Sequence, residues 1–256
     1  MRGLGGKVAV VVGGAGGIGT ATCVRLAEEG CAVAVGDLDG AAAAEVAERI
    51  TAAGGHAMAL ETDIGDEEQV RALIDRTVAE LGGVDILHAN AADMSPEGIG
   101  SDSNVVDMGL DSFDRSIRAG ARGHLLCARH AIPRLLERGG GALVFTSSGS
   151  AFAGEPQRPA YAMSKSAINA LVRHIASRWG REGIRANAVA PGLVRTEKNF
   201  QILDNEDTLN MVLSTMRSPR VGKPDDIAAM VAFLASDDGE WINGQVIAVD
   251  GGITMR

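Results

Sequence analysis

The sequence predicts an α/β fold, a Rossmann-type doubly wound parallel sheet of about seven strands with helices on both faces. Three observations carry that reading. Apolar runs of strand length alternate with stretches of helical length over nearly the whole chain. Glycines fall where the helices should stop. The first apolar run leads straight into a glycine-rich turn that opens a helix. Strands alternating with helices imply parallel pairing, right-handed crossovers and a sheet covered on both sides.

Taken in order, residues 7–12 read as a buried strand, wholly apolar after Lys7. Residues 18–29 are helical and end at Gly30. Residues 32–36 form a second strand. An Ala-rich helix over 41–53 stops at Gly54 and Gly55; its alanine run is helix propensity. Residues 57–61 are a short third strand. Residues 67–81 are helical, with Asp66 as N-cap and Gly82 past the end. A fourth strand covers 84–88. Residues 93–111 are polar and hold Pro96, Gly98 and Gly100, a long connection that should be functional or mobile. A long helix over 113–137, a strand over 142–147 and a second long helix over 161–181 follow. Residues 185–190 form a sixth strand closed by Pro191 and Gly192. Residues 197–219 are irregular or partly helical, 224–235 are helical, and 245–249 are the last strand. Nothing resembles a linker, so residues 1–256 read as one domain.

The 46% hydrophobic content permits a sizeable core, and 3% aromatics mean that aliphatic residues must build it. The net charge of −9 argues against nucleic acid and against an anionic membrane surface. Cys23, Cys31 and Cys127 are odd in number and lack zinc spacing, which suits reduced core thiols in a cytoplasmic protein. The apolar run behind Arg2 and Lys7 is too short for a signal peptide or a membrane span.

The turn Gly13-Gly14-Ala15-Gly16-Gly17-Ile18-Gly19 lies between the first strand and its helix. Glycines let backbone N–H groups approach a pyrophosphate, and a helix N-terminus favours its charge. Asp37 ends the second strand, where an acid can accept hydrogen bonds from the adenosine ribose and repel a 2′-phosphate. No Lys or Arg lies within the turn or directly after Asp37, so NAD is expected over NADP. Asp63, after the third strand, can reach the adenine edge or serve near a helix cap.

Tyr161 is the only tyrosine, and Lys165 is one of four lysines. The spacing puts both on one helix face, a turn apart. A free phenol, with a pKa near ~10, is a poor base at neutral pH. An ammonium about 4 Å away favours the phenolate by ~1–4 kcal/mol, depending on the dielectric. Ser148 ends the fifth strand, where ligands bind in open α/β sheets. Strand alternation alone does not choose among Ser147, Ser148 and Ser150 as the group that orients a substrate oxygen.

Gly13, Gly17, Gly19, Ser148, Tyr161 and Lys165 in this order resemble the classical short-chain dehydrogenase/reductase family. Asp85, the segment Ile184 to Gly192 and the ending Val249-Asp250-Gly251-Gly252 extend the likeness along the chain. The resemblance implies that Gly13, Gly17 and Gly19 form the diphosphate turn and Asp37 holds the adenosine ribose. Gly16, Ile18, Leu38, Asp63, Ile64, Asn90, Pro191, Gly192 and Val194 would line the same cofactor site. It makes Tyr161 the acid–base, with Lys165 also holding the nicotinamide ribose, and Ser148 the substrate-orienting serine. Thr196 would contact the carboxamide, and residues 193–222 would form a substrate lid. It also implies a homotetramer formed through the two long helices.

The sequence departs from the family pattern at three places. Val12 replaces a threonine that ties the turn to the fourth strand. Ala89-Asn90-Ala91-Ala92 replaces Asn-Asn-Ala-Gly. Gly120 occupies the position of an asparagine that kinks its helix and seats a relay water.

The expected activity is NAD-dependent interconversion of a secondary alcohol and a ketone on a hydrophobic, steroid- or terpenoid-like substrate. The alternatives are a 3-oxoacyl-carrier-protein reductase, docking through Arg118, Arg122 and Arg129, or a catalytically impaired NAD-binding regulator. His124 and His130 are expected on the helix surface or at an interface, and His88 beside the cofactor without an evident role.

Overall fold

The computed structural model describes residues 1–196 and 204–255. Seven strands form one all-parallel sheet in the order β3-β2-β1-β4-β5-β6-β7. They are β1 (Val8–Val12), β2 (Ala32–Asp37), β3 (His56–Glu61), β4 (Ile86–Ala89), β5 (Gly141–Thr146), β6 (Ile184–Pro191) and β7 (Val246–Val249). Every residue of β1 is buried, as a central strand covered on both faces must be. Burying each such valine contributes about 1.5–3 kcal/mol.

The helices divide between the faces by the alternation of strand side chains. Val10, Leu87, Leu143 and Phe145 point to one face and pack with α3 (Glu67–Leu81), α5 (Gly123–Glu137) and α6 (Pro159–Trp179). Ala9, Val11, Val33 and Ile86 point to the other, against α1 (Gly17–Glu28) and α2 (Gly40–Ala52). Val144 and Val189 meet α8 (Pro224–Ala235) on that second face. The three cysteines are free and buried in these cores.

Local chemistry sets the helix ends. Asp66 accepts from Gln69 N, and Gly82 closes α3 at φ 89°. Asp39 caps α2 by accepting from Ala42 N. The long helix read over 113–137 is instead α4 (Leu110–Ile117), a π turn over Arg118–Arg122 and α5. The fourth strand starts two residues later than expected. The buried Asp85 carboxylate takes Val8 N and Arg138, and the ladder begins beyond it. In the expected lid, α7 spans Glu206–Thr215, and Val194 bridges Gly222. Residues 197–203 of that lid lie outside the described residues. Among the described residues, no helix is long and apolar enough to cross a membrane.

Strand order reverses between β1 and β4, and the loops after these strands diverge there. This opens a crevice at the carboxyl ends of the sheet, where open α/β folds bind ligands.

Candidate active site

A cleft of about 2600 Å³ runs along those carboxyl ends. It exceeds a usual small-molecule pocket of roughly 300–1,000 Å³ severalfold, enough for a dinucleotide and a second ligand. Gly13, Gly16, Gly17, Ile18, Asp37, Leu38, Asp63, Ile64, Asn90, Ser148, Tyr161, Lys165, Pro191, Gly192, Val194 and Thr196 all line it. Gly19 does not. It sits beneath the turn, where a Cβ would overlap the Gly13 carbonyl, so its part is close packing.

The turn has the features that could hold an anion. Gly13 has φ +80°, and a Cβ there would lie 2.7 Å from Ala91. Gly16 is the N-cap of α1 and offers no side-chain cap, and the first turn of α1 holds no acid. The helix N-terminus is thus left to an external negative group. A Cβ on Gly17 would meet Thr196, so the turn and the start of the lid segment face each other closely. Asp37 Oδ2 accepts from Ala15 N at 2.9 Å, and Oδ1 accepts from Asp39 N. The acid therefore braces the turn from the β2 end of the cleft. Asp63 is held in a two-point pair with Arg118, at 2.8 and 3.1 Å; burial pushes its carboxyl up, but Arg118, the Gly65 N–H and Arg122 together hold it below the usual range.

The turn lacks the hydroxyl that Val12 displaces, and Asn90 secures it instead. Asn90 N and Ala91 N donate to Val12 O, and Asn90 Nδ2 donates to Gly13 O at 3.0 Å. Thr146 Oγ1 in turn donates to Asn90 Oδ1 at 2.9 Å. Its one proton is thereby used, so His88 Nε2 is the donor in its 3.0 Å contact with Thr146 Oγ1. His88 is fully buried, and burial first, then the Lys165 charge, pushes its pKa down to about 3. His88 has no evident role in the sequence, and Thr146, which links it to Asn90, carries no signal there. Only strand alternation, which puts His88 and Asn90 on one face, hinted at the connection.

The three serines separate cleanly. Ser147 Oγ donates to Asn169 Oδ1 at 2.6 Å and is turned into α6. Ser150 Oγ donates to Glu155 Oε1 at 2.6 Å. Burial raises the Tyr161 phenol above its usual pKa, and the neighbouring Ser148 hydroxyl offsets part of that rise. Lys165 is buried and donates to the Thr146 carbonyl at 2.8 Å. Its Nζ stands 5.6 Å from the Tyr161 ring centroid, over the ring. Burial lowers the lysine pKa to about 8.

Two expectations about neighbouring helices need correction. His124 is not on the helix surface but fully buried, stacked obliquely on Phe145 at 6.1 Å. Burial, followed by the Lys165 charge, takes its pKa down to about 3. His130 is half-buried against Glu67. Arg118, Arg122 and Arg129 form no free basic patch. They engage Asp63, the Gly65 carbonyl and Glu67 respectively.

Comparison with known proteins shows the family. The chain matches the family model described as Enoyl-(Acyl carrier protein) reductase over residues 13–254. It is 43% identical over 250 residues to a probable short-chain type dehydrogenase/reductase of Bradyrhizobium diazoefficiens, covering 97% of this chain and 87% of that protein. It is 39% identical to a versicolorin reductase of Emericella nidulans, covering 97% and 96%. A solved 7α-hydroxysteroid dehydrogenase, complexed with NADH and 7-oxo glycochenodeoxycholic acid, superposes with a TM-score of 0.90 at 32% identity, covering 98% and 95%. The chain belongs to the short-chain dehydrogenase/reductase family and is an oxidoreductase that acts on CH–OH groups with a nicotinamide cofactor.

Proposed function

We propose that the chain interconverts a hydrophobic secondary alcohol and its ketone with NAD, and that Ser148, Tyr161 and Lys165 carry the chemistry. The observation that carries this reading is the juxtaposition of Ser148 and the Tyr161 phenol beside a buried lysine. The cradle of Gly13, the uncapped start of α1 and Asp37 fits a dinucleotide with a free 2′-hydroxyl. When bound, the nicotinamide accepts or supplies the hydride.

Ser148 orients the substrate oxygen by hydrogen bonding, so that the oxygen also meets Tyr161. In oxidation Tyr161 takes the hydroxyl proton as the carbinol hydrogen leaves as hydride; in reduction it returns that proton to the carbonyl oxygen. The Lys165 ammonium over the ring favours the phenolate, and its bond to the Thr146 carbonyl fixes where that charge stands.

Met94, Ile99, Ala153, Leu193 and Ile253 offer apolar surface on the substrate side of the cleft. They support a steroid- or terpenoid-like substrate. A carrier-linked acyl group is less well served, because the three arginines that would dock an acidic carrier are already engaged by Asp63, Gly65 and Glu67. Leu125 on α5 and Met163 on α6 are large exposed apolar residues, consistent with self-association into a tetramer through those helices. The reading is tested by following NADH absorbance with a panel of secondary alcohols and the matching ketones. Turnover with bulky apolar members and preference for NAD support it; no turnover with any member contradicts it.

A further inference from the structure

The catalytic helix is capped from an unexpected place. Its own N-cap, Arg158, makes no side-chain cap bond and adopts φ 66°, ψ 43°, the one non-glycine residue with positive φ among the described residues. Such a conformation costs an ordinary residue stability and persists only when its surroundings hold it. Pro159 has no N–H to donate. The next two donors, Ala160 N and Tyr161 N, both bind the Asp102 carboxylate, at 3.2 Å to Oδ1 and 2.7 Å to Oδ2. Arg158 N donates to the carbonyls of Asp102 and Ser103 at 3.1 and 2.8 Å. The carboxylate thus takes the place of an N-cap aspartate from 58 residues away, and it is 3% exposed.

Asp102 closes the long loop after β4. That loop is tied to itself by Asp93, which accepts from Ser95 N and Ser95 Oγ. Ser95 Oγ accepts from Gly98 N, and Ser112 Oγ donates to the Gly98 carbonyl. Its Met94, Ser95, Pro96, Glu97 and Ile99 line the cleft. One internally hydrogen-bonded segment therefore lines the cleft at one end and meets the backbone of Tyr161 at the other.

We propose that Asp102 is a positioning residue for Tyr161, the link through which the loop that lines the substrate space sets the tyrosine. The inference rests on the oxidoreductase reading above for its effect on turnover. Its effect on the tyrosine can be read without turnover, because Tyr161 is the sole tyrosine and its ionisation is visible as phenolate absorbance. The charged groups that bear on that phenol are Lys165, which stands over its ring, Arg158 and Glu155, and none of the three is substituted in the variants below.

The experiment compares wild type with Asp102→Asn, which keeps the shape and one acceptor, and with Asp102→Ala. Three quantities are measured for each: kcat on an active alcohol, the dissociation constant of NADH and the phenolate titration of the ligand-free protein. The expected result for Asp102→Ala is a kcat lower by roughly 10- to 100-fold, as for an ångström-scale misplacement, with NADH affinity within about twofold. Its phenol should titrate at lower pH as water reaches the helix start. Asp102→Asn should fall between the two, and it serves alone if the alanine variant does not fold. Wild-type titration and kcat in a folded variant overturn the proposal. If wild type has no turnover, the oxidoreductase reading fails, while an unshifted phenol titration in Asp102→Asn still overturns the clamp and a shifted one still supports it.

Discussion

Gly120 and Ser164 compete for one space, since a Cβ on Gly120 would lie 2.6 Å from both Cβ and Oγ of Ser164. The glycine is therefore required by its partner on α6, the residue next to Lys165. The π turn over Arg118–Arg122 forms without any side chain at its centre, so the helix distortion survives the loss of the family's asparagine. Ser164 Oγ meanwhile donates to the Tyr161 carbonyl at 2.8 Å, within the first turns of α6.

Restoring an asparagine at Gly120 should accordingly harm the protein. Gly120→Asn alone is expected to lower unfolding stability by about 1–3 kcal/mol through overpacking, with a matching loss of activity. Ser164→Gly should recover much of that loss in the double variant. Denaturant unfolding of both single variants and the pair gives the coupling energy, expected at about 1 kcal/mol or more. Additive effects would show that the two residues do not share the space.

The proposed preference for NAD rests on the charge of Asp37. Asp37→Asn keeps an acceptor for Ala15 N and removes the repulsion of a 2′-phosphate. The ratio of kcat/KM with NADP to that with NAD should rise by roughly 10- to 100-fold, as expected for about 1–3 kcal/mol of charge repulsion. An unchanged ratio would mean that the carboxylate serves the turn alone.

Buried neutral histidines make the fold sensitive to acid. The folded pKa of His88 and of His124 lies near 3, below the ordinary 6.5. Between those values the unfolded chain binds more protons, so stability is complete above about pH 6.5 and is lost as pH falls toward 3. Each histidine should remove about 2–3 kcal/mol by pH 4.5. His124→Phe keeps an aromatic ring against Phe145 and removes one titrating group. Urea unfolding from pH 6.5 to 4.5 should show a shallower loss for the variant. Parallel curves would contradict the assignment.

The parallel sheet and the core were legible because valine and alanine runs in β1, β2 and β6 read as strands covered on both faces. Asp66 and Gly82 were legible because caps act within a few residues. The Tyr161–Lys165 pair was legible because helical spacing brings the fourth residue back to the same face. What escaped depends on distant partners. The break at Gly120 answers to Ser164, and the cap on Tyr161 comes from Asp102. His124 looked like a surface residue because a lone histidine on a helix carries no sign of the Phe145 ring that covers it. Ser148 was singled out by family likeness. Its geometry is explained by where Ser147 and Ser150 spend their hydroxyls.

The proposed chemistry has Tyr161 move the proton, and Tyr161→Phe tests this most directly. The substitution removes one oxygen from a site whose helix, lysine and cofactor cradle stay in place. With an active secondary alcohol and saturating NAD, kcat for NADH formation should fall by about 10²–10⁴-fold, while NADH affinity stays within about twofold of wild type. A kcat within about threefold of wild type would contradict the account.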